Sequence, residues 1–353
     1  MAQGRARLRD LGFVVGTLAP GEHNAITDVR GVRVGHVTLS GRTGYPESVC
    51  TGVTAILPHG GDLFQHKLQA ACHVINGFGK TAGLVQLEEL GQLESPILLT
   101  NTFGVGAALE GGVRYLILRD PRMGDTRPTP NVIVGECNDG YLNDMREMPV
   151  RPRHAIAAIE NATGGRVPEG AVGAGTGMRC CGFKGGIGTA SRRVPGSDHT
   201  VGVLVLSNFG SAEDLTILGV PVGRHLHPDD FLPQDGSIIM VVATDLPWDA
   251  LALRRLAVRT AFGLAHVGSV ASHGSGDIAI AFSTADAVRP AYNDGGRLAT
   301  GAFHAVVEAT EEAILNSLTQ AETTVGREGR VVPALPLKET IALLQPETPQ
   351  EPA

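Results

Sequence analysis

What most limits the fold of this chain is a recurrence of short apolar runs, at 53–57, 96–99, 115–118, 131–134, 201–206, 238–243 and 278–282, bounded chiefly by Gly, Pro, Asn or Asp. Runs this short and this rich in Val, Ile and Leu suit strands covered on both faces, where no polar alternation is needed. Helical patterns lie between them. Leu253, Leu256, Ala257, Thr260, Ala261 and Leu264 recur at spacings of three and four, with Arg254, Arg255 and Arg259 off that face and Asp249 placed to cap it. Phe303, Val306, Val307, Thr310, Ala313, Ile314, Ser317 and Leu318 form a second stripe. The order lacks a βαβ rhythm, so the expectation is an α/β layer structure with sheets packed face to face and helices outside. Five prolines between Pro333 and Pro352 predict an extended arm and a frayed end from residue 331 on.

Composition narrows the function. The 353 residues include 47 glycines and are 42% hydrophobic but 4% aromatic, which predicts an aliphatic core with closely packed backbones. A net charge of −7 without a basic cluster argues against nucleic acid. Cys50, Cys72, Cys137, Cys180 and Cys181 include no CxxC pair, which predicts reduced thiols and no zinc site. No run of 18 apolar residues exists for a membrane span, and Asp10 and Gly12 interrupt the apolar N-terminal stretch. A cytoplasmic protein is expected.

Several motifs fail on inspection. The segment from His73 to Thr81 ends like a phosphate loop, but Val74 stands where its first glycine is required. Gly173-Ala-Gly175-Thr-Gly177 lacks dinucleotide spacing and predicts a tight turn against a sheet. His225-Leu-His227-Pro-Asp229-Asp230 holds metal-ligating side chains but reads as a polar loop. No HExxH or GxSxG occurs. No cofactor is called for.

Three segments carry chemistry. Gln234-Asp235-Gly236-Ser237 leads from a loop directly into an apolar run, another run ends at Asn208, and Ser272-His273-Gly274-Ser275-Gly276-Asp277 is a polar turn entering a third. These segments resemble the L-aminopeptidase D-amidase/D-esterase family, which includes β-peptidyl aminopeptidases. Further matches are Asn24-Ala-Ile-Thr-Asp28, Gly31-Val-Arg-Val-Gly35-His36, Thr51-Gly-Val-Thr-Ala-Ile-Leu57, Asp139-Gly-Tyr141-Leu-Asn143-Asp144 and Phe183-Lys-Gly-Gly-Ile-Gly-Thr-Ala190, so that the likeness spans residues 10–290.

The resemblance implies an αββα sandwich of the N-terminal-nucleophile type, made as one catalytic domain over 1–353. It implies self-scission between Gly236 and Ser237 into chains 1–236 and 237–353. By motif position Ser237 is the nucleophile, Asn208 the oxyanion donor, and Ser275 and Asp277 orient the freed amine. Elementary chemistry agrees. A serine hydroxyl needs an adjacent base, and the α-amine of an N-terminal serine, with a reference pKa of about 7.7–8.0, can be that base. Glu136 is the candidate for holding a substrate ammonium, with Tyr141 lining the pocket, while His36 and His273 read as structural. Expected substrates are short peptides, amino-acid amides or esters, and a homo-oligomer, tetramer or larger, is expected. Alternative readings are a related amide hydrolase or acyltransferase of a biosynthetic pathway, and a non-catalytic binding protein that keeps the scaffold uncut.

Overall fold

Strands apolar on both faces need cover on both sides, and the chain supplies it in four layers. The structure, a computed structural model, describes residues 4–226, 236–289 and 296–345. In chain order the strands are β1 (Arg33–Ser40), β2 (Cys50–Leu57), β3 (Leu68–Gly77), β4 (Gln92–Leu93), β5 (Ile97–Asn101) and β6 (Ile133–Cys137). There follow β7 (Arg179–Cys180), β8 (Phe183–Lys184), β9 (Gly186–Arg193), β10 (Thr200–Asn208), β11 (Ser237–Thr244), β12 (Gly276–Ser283), β13 (Thr324–Val325) and β14 (Val331–Val332). The helices are α1 (Leu84–Leu90), α2 (Val105–Arg119), α3 (Pro152–Glu160), α4 (Ala250–His266), α5 (Arg297–Gln320) and α6 (Leu337–Leu344).

One sheet has the order β1-β2-β5-β6 and the other the order β4-β3-β12-β11-β10-β9. Side-chain alternation divides the larger sheet between two cores. Leu204, Leu206, Ile239, Val241, Ile278 and Ile280 pack against Ile56, Ile97, Leu99 and Ile133 of the smaller sheet. Their neighbours Val203, Val205, Met240, Val242, Ala279 and Ala281 pack under α4 and α5. On the far side, Val53, Ala55, Leu98 and Val134 meet Ala108 and Leu116 of α2 and Ala155 and Ile159 of α3. The result is the expected αββα sandwich. Each fully buried aliphatic side chain contributes about 1.5–3 kcal/mol.

Two glycines set how closely the outer layers approach. A Cβ at Gly188 would collide with the Ala313 carbonyl oxygen of α5, and one at Gly35 with the Ala158 carbonyl oxygen of α3. Helix α4 begins as expected, with the Asp249 carboxylate accepting the Ala252 N–H at 2.9 Å. Charge ties the N-terminal segment to α5: buried Arg192 pairs with Glu312 at 2.5 Å and Glu308 at 2.9 Å, and Arg9 also reaches Glu312 at 2.9 Å. Glu312 thereby keeps two partners for a charge that burial alone would make costly.

Two expectations are corrected. Residues 115–118 are not a strand but the last turn of α2, whose buried face is Ala108, Gly111, Gly112, Tyr115 and Leu116. Glycines hide that helical stripe, and Ile117 and Leu118 are exposed apolar residues that lengthen the run without entering the core. The arm expected from residue 331 instead forms β14 and then α6, with Leu335 and Leu337 buried in the core under the larger sheet. Pro336 stands at the N-cap of α6, where a missing N–H costs nothing. Residues 346–353 lie outside the described residues.

His36 lies on β1, enclosed by the layer of α3 and the turn at Gly173. The Thr54 hydroxyl lies 2.9 Å from its Nδ1, and burial pushes its pKa from 6.5 down to about 4. The unfolded chain therefore takes up a proton near pH 6.5 that the folded chain refuses until about pH 4. Stability from this group is full above pH 6.5 and is lost as pH falls towards 4. His36→Gln should flatten the fall of the melting temperature across that window, and parallel melting curves for the two proteins would contradict it.

Candidate active site

Backbone register builds the site before any side chain does. Strand β11 runs antiparallel to β10 and parallel to β12, pairing Asn208 with Ser237 and Ser237 with Gly276. The end of one strand and the starts of two others thus fall in one row across the larger sheet. All of these positions are buried, with Ser237 6% exposed.

The Gly276 N–H donates to Ser237 Oγ at 3.2 Å and also to the Gly236 carbonyl at 3.2 Å. Gly236 tolerates no side chain, because a Cβ there would strike the Asn208 carbonyl oxygen and Phe209 Cα. Asn208 has its amide orientation set from both ends: Oδ1 accepts the Arg179 N–H at 2.9 Å, and Nδ2 donates to the Asn138 carbonyl at 3.1 Å. Ser275 Oγ donates to Asp277 Oδ1 at 2.6 Å. The other carboxylate oxygen, Oδ2, is buried without a hydrogen-bond partner among the described residues. Burial pushes the Asp277 carboxyl above the usual carboxylate range, against the hydrogen bonds from Ser275 and the Ile238 amide. A buried carboxylate with an unused oxygen is costly, and a cation beside it would relieve that cost.

Glu136, 4% exposed, comes from β6 of the other sheet. Its Oε1 accepts the Lys80 N–H at 2.8 Å and its Oε2 the Thr102 hydroxyl at 2.5 Å, so each oxygen keeps a lone pair. A Cβ on Gly79 would lie 3.4 Å from Glu136 Oε1 and 3.8 Å from Gly276 Cα, which puts this carboxylate near the Ser237 row. Tyr141 sits on the Asn208 side. The guanidinium groups of Arg179 and Arg330 lie 4.1 Å and 5.5 Å from the centre of its ring, which packs against Cys50, Leu142 and Val332. The seven site residues expected from sequence, Gly236 included, are thus linked through neighbouring strands and loops.

Sequence reasoning passed over three residues that hold this arrangement. Asn76, at a β-bulge opposite Asp277, donates its amide to the carbonyls of Ser272 at 2.9 Å and His273 at 3.1 Å and to that of Ser275, pinning the turn that carries Ser275. It lies within the rejected phosphate-loop stretch, whose residues 73–77 are instead the end of β3. Bulges commonly sit beside active sites. Lys184 is fully buried and donates to the carbonyls of Gly175, Met178 and Gly185 at 2.8–2.9 Å, while burial pulls its pKa down to about 8. It anchors the turn at Gly173–Gly177, the tight turn that the glycines predicted, next to the Arg179 amide that orients Asn208. The third is Arg179 itself. Its backbone N–H holds Asn208 Oδ1 while its guanidinium lies over the Tyr141 ring, two contacts that no sequence pattern announces.

Among the described residues no group of three or more His, Cys, Asp or Glu is placed to hold a metal ion. Of the histidine loop, His225 is described, whereas His227, Asp229 and Asp230 lie outside the described residues, as do Gln234 and Asp235. No helix among the described residues is long and apolar enough to cross a membrane. All five cysteines are buried and free.

The layered architecture is that of the N-terminal-nucleophile hydrolase fold. A crystal structure of the L-aminopeptidase D-Ala-esterase/amidase of Ochrobactrum anthropi, described as a variant of that fold, superposes with a TM-score of 0.84 at 38% identity, covering 96% of this chain and 98% of that one. The PH0078 protein of Pyrococcus horikoshii OT3 superposes with a TM-score of 0.88 at 46% identity over 96% of this chain and 98% of its own. Among curated proteins, the β-peptidyl aminopeptidase of Sphingosinicella microcystinivorans is 42% identical, covering 96% of this chain and 92% of the relative. Residues 24–332 match peptidase family S58, and the chain belongs to that aminopeptidase family.

Proposed function

We propose that this chain is a self-processing serine aminopeptidase and amidase. Scission of Gly236–Ser237 yields chains 1–236 and 237–353, and Ser237 then carries the acyl-enzyme. The observation that bears most weight is the row Asn208–Ser237–Gly276, with the unpaired Asp277 oxygen beside it. Each part of that row has a use. The freed α-amine of Ser237 takes the proton from its own Oγ, and Asp277 with Ser275 holds that amine. Asn208 donates to the substrate oxyanion, an interaction typically worth about 2.7–4 kcal/mol. Glu136 binds the substrate's ammonium and Tyr141 lines the pocket. Short peptides, amino-acid amides and esters are the substrates.

Scission is checked by mass. Active enzyme should show two fragments with Ser237 at a new N-terminus, and Ser237→Ala should remain a single inactive chain of 36.8 kDa. Fully active enzyme in one piece would refute the proposal.

The role of Glu136 separates binding from chemistry. A hydrogen bond to a charged group contributes about 1.5–3 kcal/mol, so Glu136→Gln should raise KM by about 10–100-fold for substrates with a free α- or β-amine. A loss confined to kcat would assign Glu136 elsewhere.

Activity should rise with pH as the Ser237 amine deprotonates. Asp277 stabilises the ammonium and shifts this limb upward, so in a cleaved Asp277→Asn enzyme the limb should move to lower pH while the maximal rate falls. An unchanged pH profile would remove Asp277 from contact with the base.

The assembly proposed is a homo-oligomer of such cleaved units, tetrameric or larger. Light scattering should give a mass several times 36.8 kDa, and a value near 36.8 kDa would exclude it.

A further inference from the structure

Scission and substrate turnover each place negative charge on a carbonyl oxygen, but the two oxygens are different atoms. In scission it is the oxygen of Gly236, whose position is fixed by the chain. The partner on that atom is the Gly276 N–H, at 3.2 Å. This is the first rung of the parallel ladder between β11 and β12, and its acceptor is the scissile carbonyl. The same N–H reaches Ser237 Oγ, also at 3.2 Å. One donor therefore contacts both the attacking atom and the carbonyl under attack. A side chain at residue 276 would spoil the approach, since a Cβ would sit 2.9 Å from the Phe78 carbonyl oxygen and 3.2 Å from Ser237 Oγ. Asn208 is engaged differently, with its Oδ1 on the Arg179 N–H and its Nδ2 on the Asn138 carbonyl. Among the described residues no hydrogen bond joins Asn208 to the Gly236 oxygen.

We infer that the backbone N–H of Gly276 is the oxyanion donor for self-scission, and that Asn208 serves only the later hydrolysis of substrates. The inference rests on the self-processing reading above. In the step itself, Ser237 Oγ bonds to the Gly236 carbonyl carbon, and the carbonyl electron pair moves onto the Gly236 oxygen, where the Gly276 N–H receives it. The Oγ proton passes to the Ser237 nitrogen, the C–N bond breaks, and an ester joins Gly236 to Ser237 Oγ. Water then adds to the ester carbon and the C–Oγ bond breaks. The products are the Gly236 carboxylate, the Ser237 hydroxyl and the Ser237 ammonium, so that one water is consumed and the proton released from the new acid is held by the amine. Pre-set donors aimed at a developing oxyanion cost no reorganisation when the charge appears, which is why a ladder rung can do this work.

Two proteins test the division, each compared with folded, uncut Ser237→Ala by melting temperature. Asn208→Ala should cut on the wild-type timescale by intact mass yet lose turnover of an amino-acid amide by about 10²–10³-fold. Glycolic acid in place of Gly276, introduced by nonsense suppression, removes the N–H while adding no side chain, and should slow scission by a similar factor of about 10²–10³. A folded Asn208→Ala protein that stays in one piece would overturn the assignment, and so would an ester-containing protein that cuts at the wild-type rate. Wild-type enzyme that never cuts would instead refute self-processing itself.

Discussion

The pairing of β11 with its two neighbours is the constraint on which the rest depends. Antiparallel pairing on one side and parallel pairing on the other bring Asn208, Ser237 and Gly276 into one row. A shift of β11 by one residue would turn Ser237 to the opposite face of the sheet from its present neighbours. The apolar alternation of 238–243 resists that shift, because Ile239 and Val241 fill the core between the sheets while Met240 and Val242 lie under the helices. Site geometry is in this sense a by-product of core packing, and the precision of the first comes from the cost of disturbing the second.

Around this row the protein spends polar groups on holding loops still. Asn76 gives its amide to the turn that carries Ser275, Lys184 gives its ammonium to three carbonyls behind Arg179, and Arg179 fixes the amide of Asn208. Asn76 and Lys184 are half-buried and buried donors aimed at backbone carbonyls, the groups that irregular chain leaves unsatisfied, whereas Arg179 gives its own backbone N–H to a side-chain oxygen. The same logic joins the N-terminal segment to α5 through Arg9, Arg192 and Glu312. Binding a charge to fixed carbonyls or carboxylates lowers the cost of burying it and rigidifies the loop in return.

Much of this was legible in the sequence, for identifiable reasons. The runs at 201–206, 238–243 and 278–282 read as strands because they are central and apolar on both faces. Gly236-Ser237 and Asn208 were visible because they stand at the ends of those runs. Besides five strands of two residues each, three longer strands were missed on physical grounds. β9, Gly186–Arg193, is poor in large apolar residues because α5 lies too close for side chains at Gly188. In β3, Leu68–Gly77, the second half turns partly to solvent, and β1, Arg33–Ser40, mixes buried and half-buried positions. The 115–118 run misled because Gly111 and Gly112 removed two marks of the helical stripe. Lys184 and Asn76 could not have been weighed from spacing alone, since their partners are main-chain carbonyls, which no residue type advertises.

The order of strands in the larger sheet has a consequence for how the molecule comes into being. β3 and β4 lie on one flank and β9 and β10 on the other, with β11 and β12 between them. A ribosome that has delivered only the first 236 residues has therefore made two sheet edges with a two-strand gap between them. Those edges stay open until β12 emerges, and contacts so distant along the chain form slowly. During that interval the nascent protein exposes unpaired strand edges of the kind that recruit chaperones or neighbouring chains. The last central strand to arrive also carries Gly276 and Asp277, with Ser275 just before it, so Ser237 gains these neighbours only once the sheet is whole. Synthesis order thus leaves the row Asn208–Ser237–Gly276 unformed until residues 276–283 have been made.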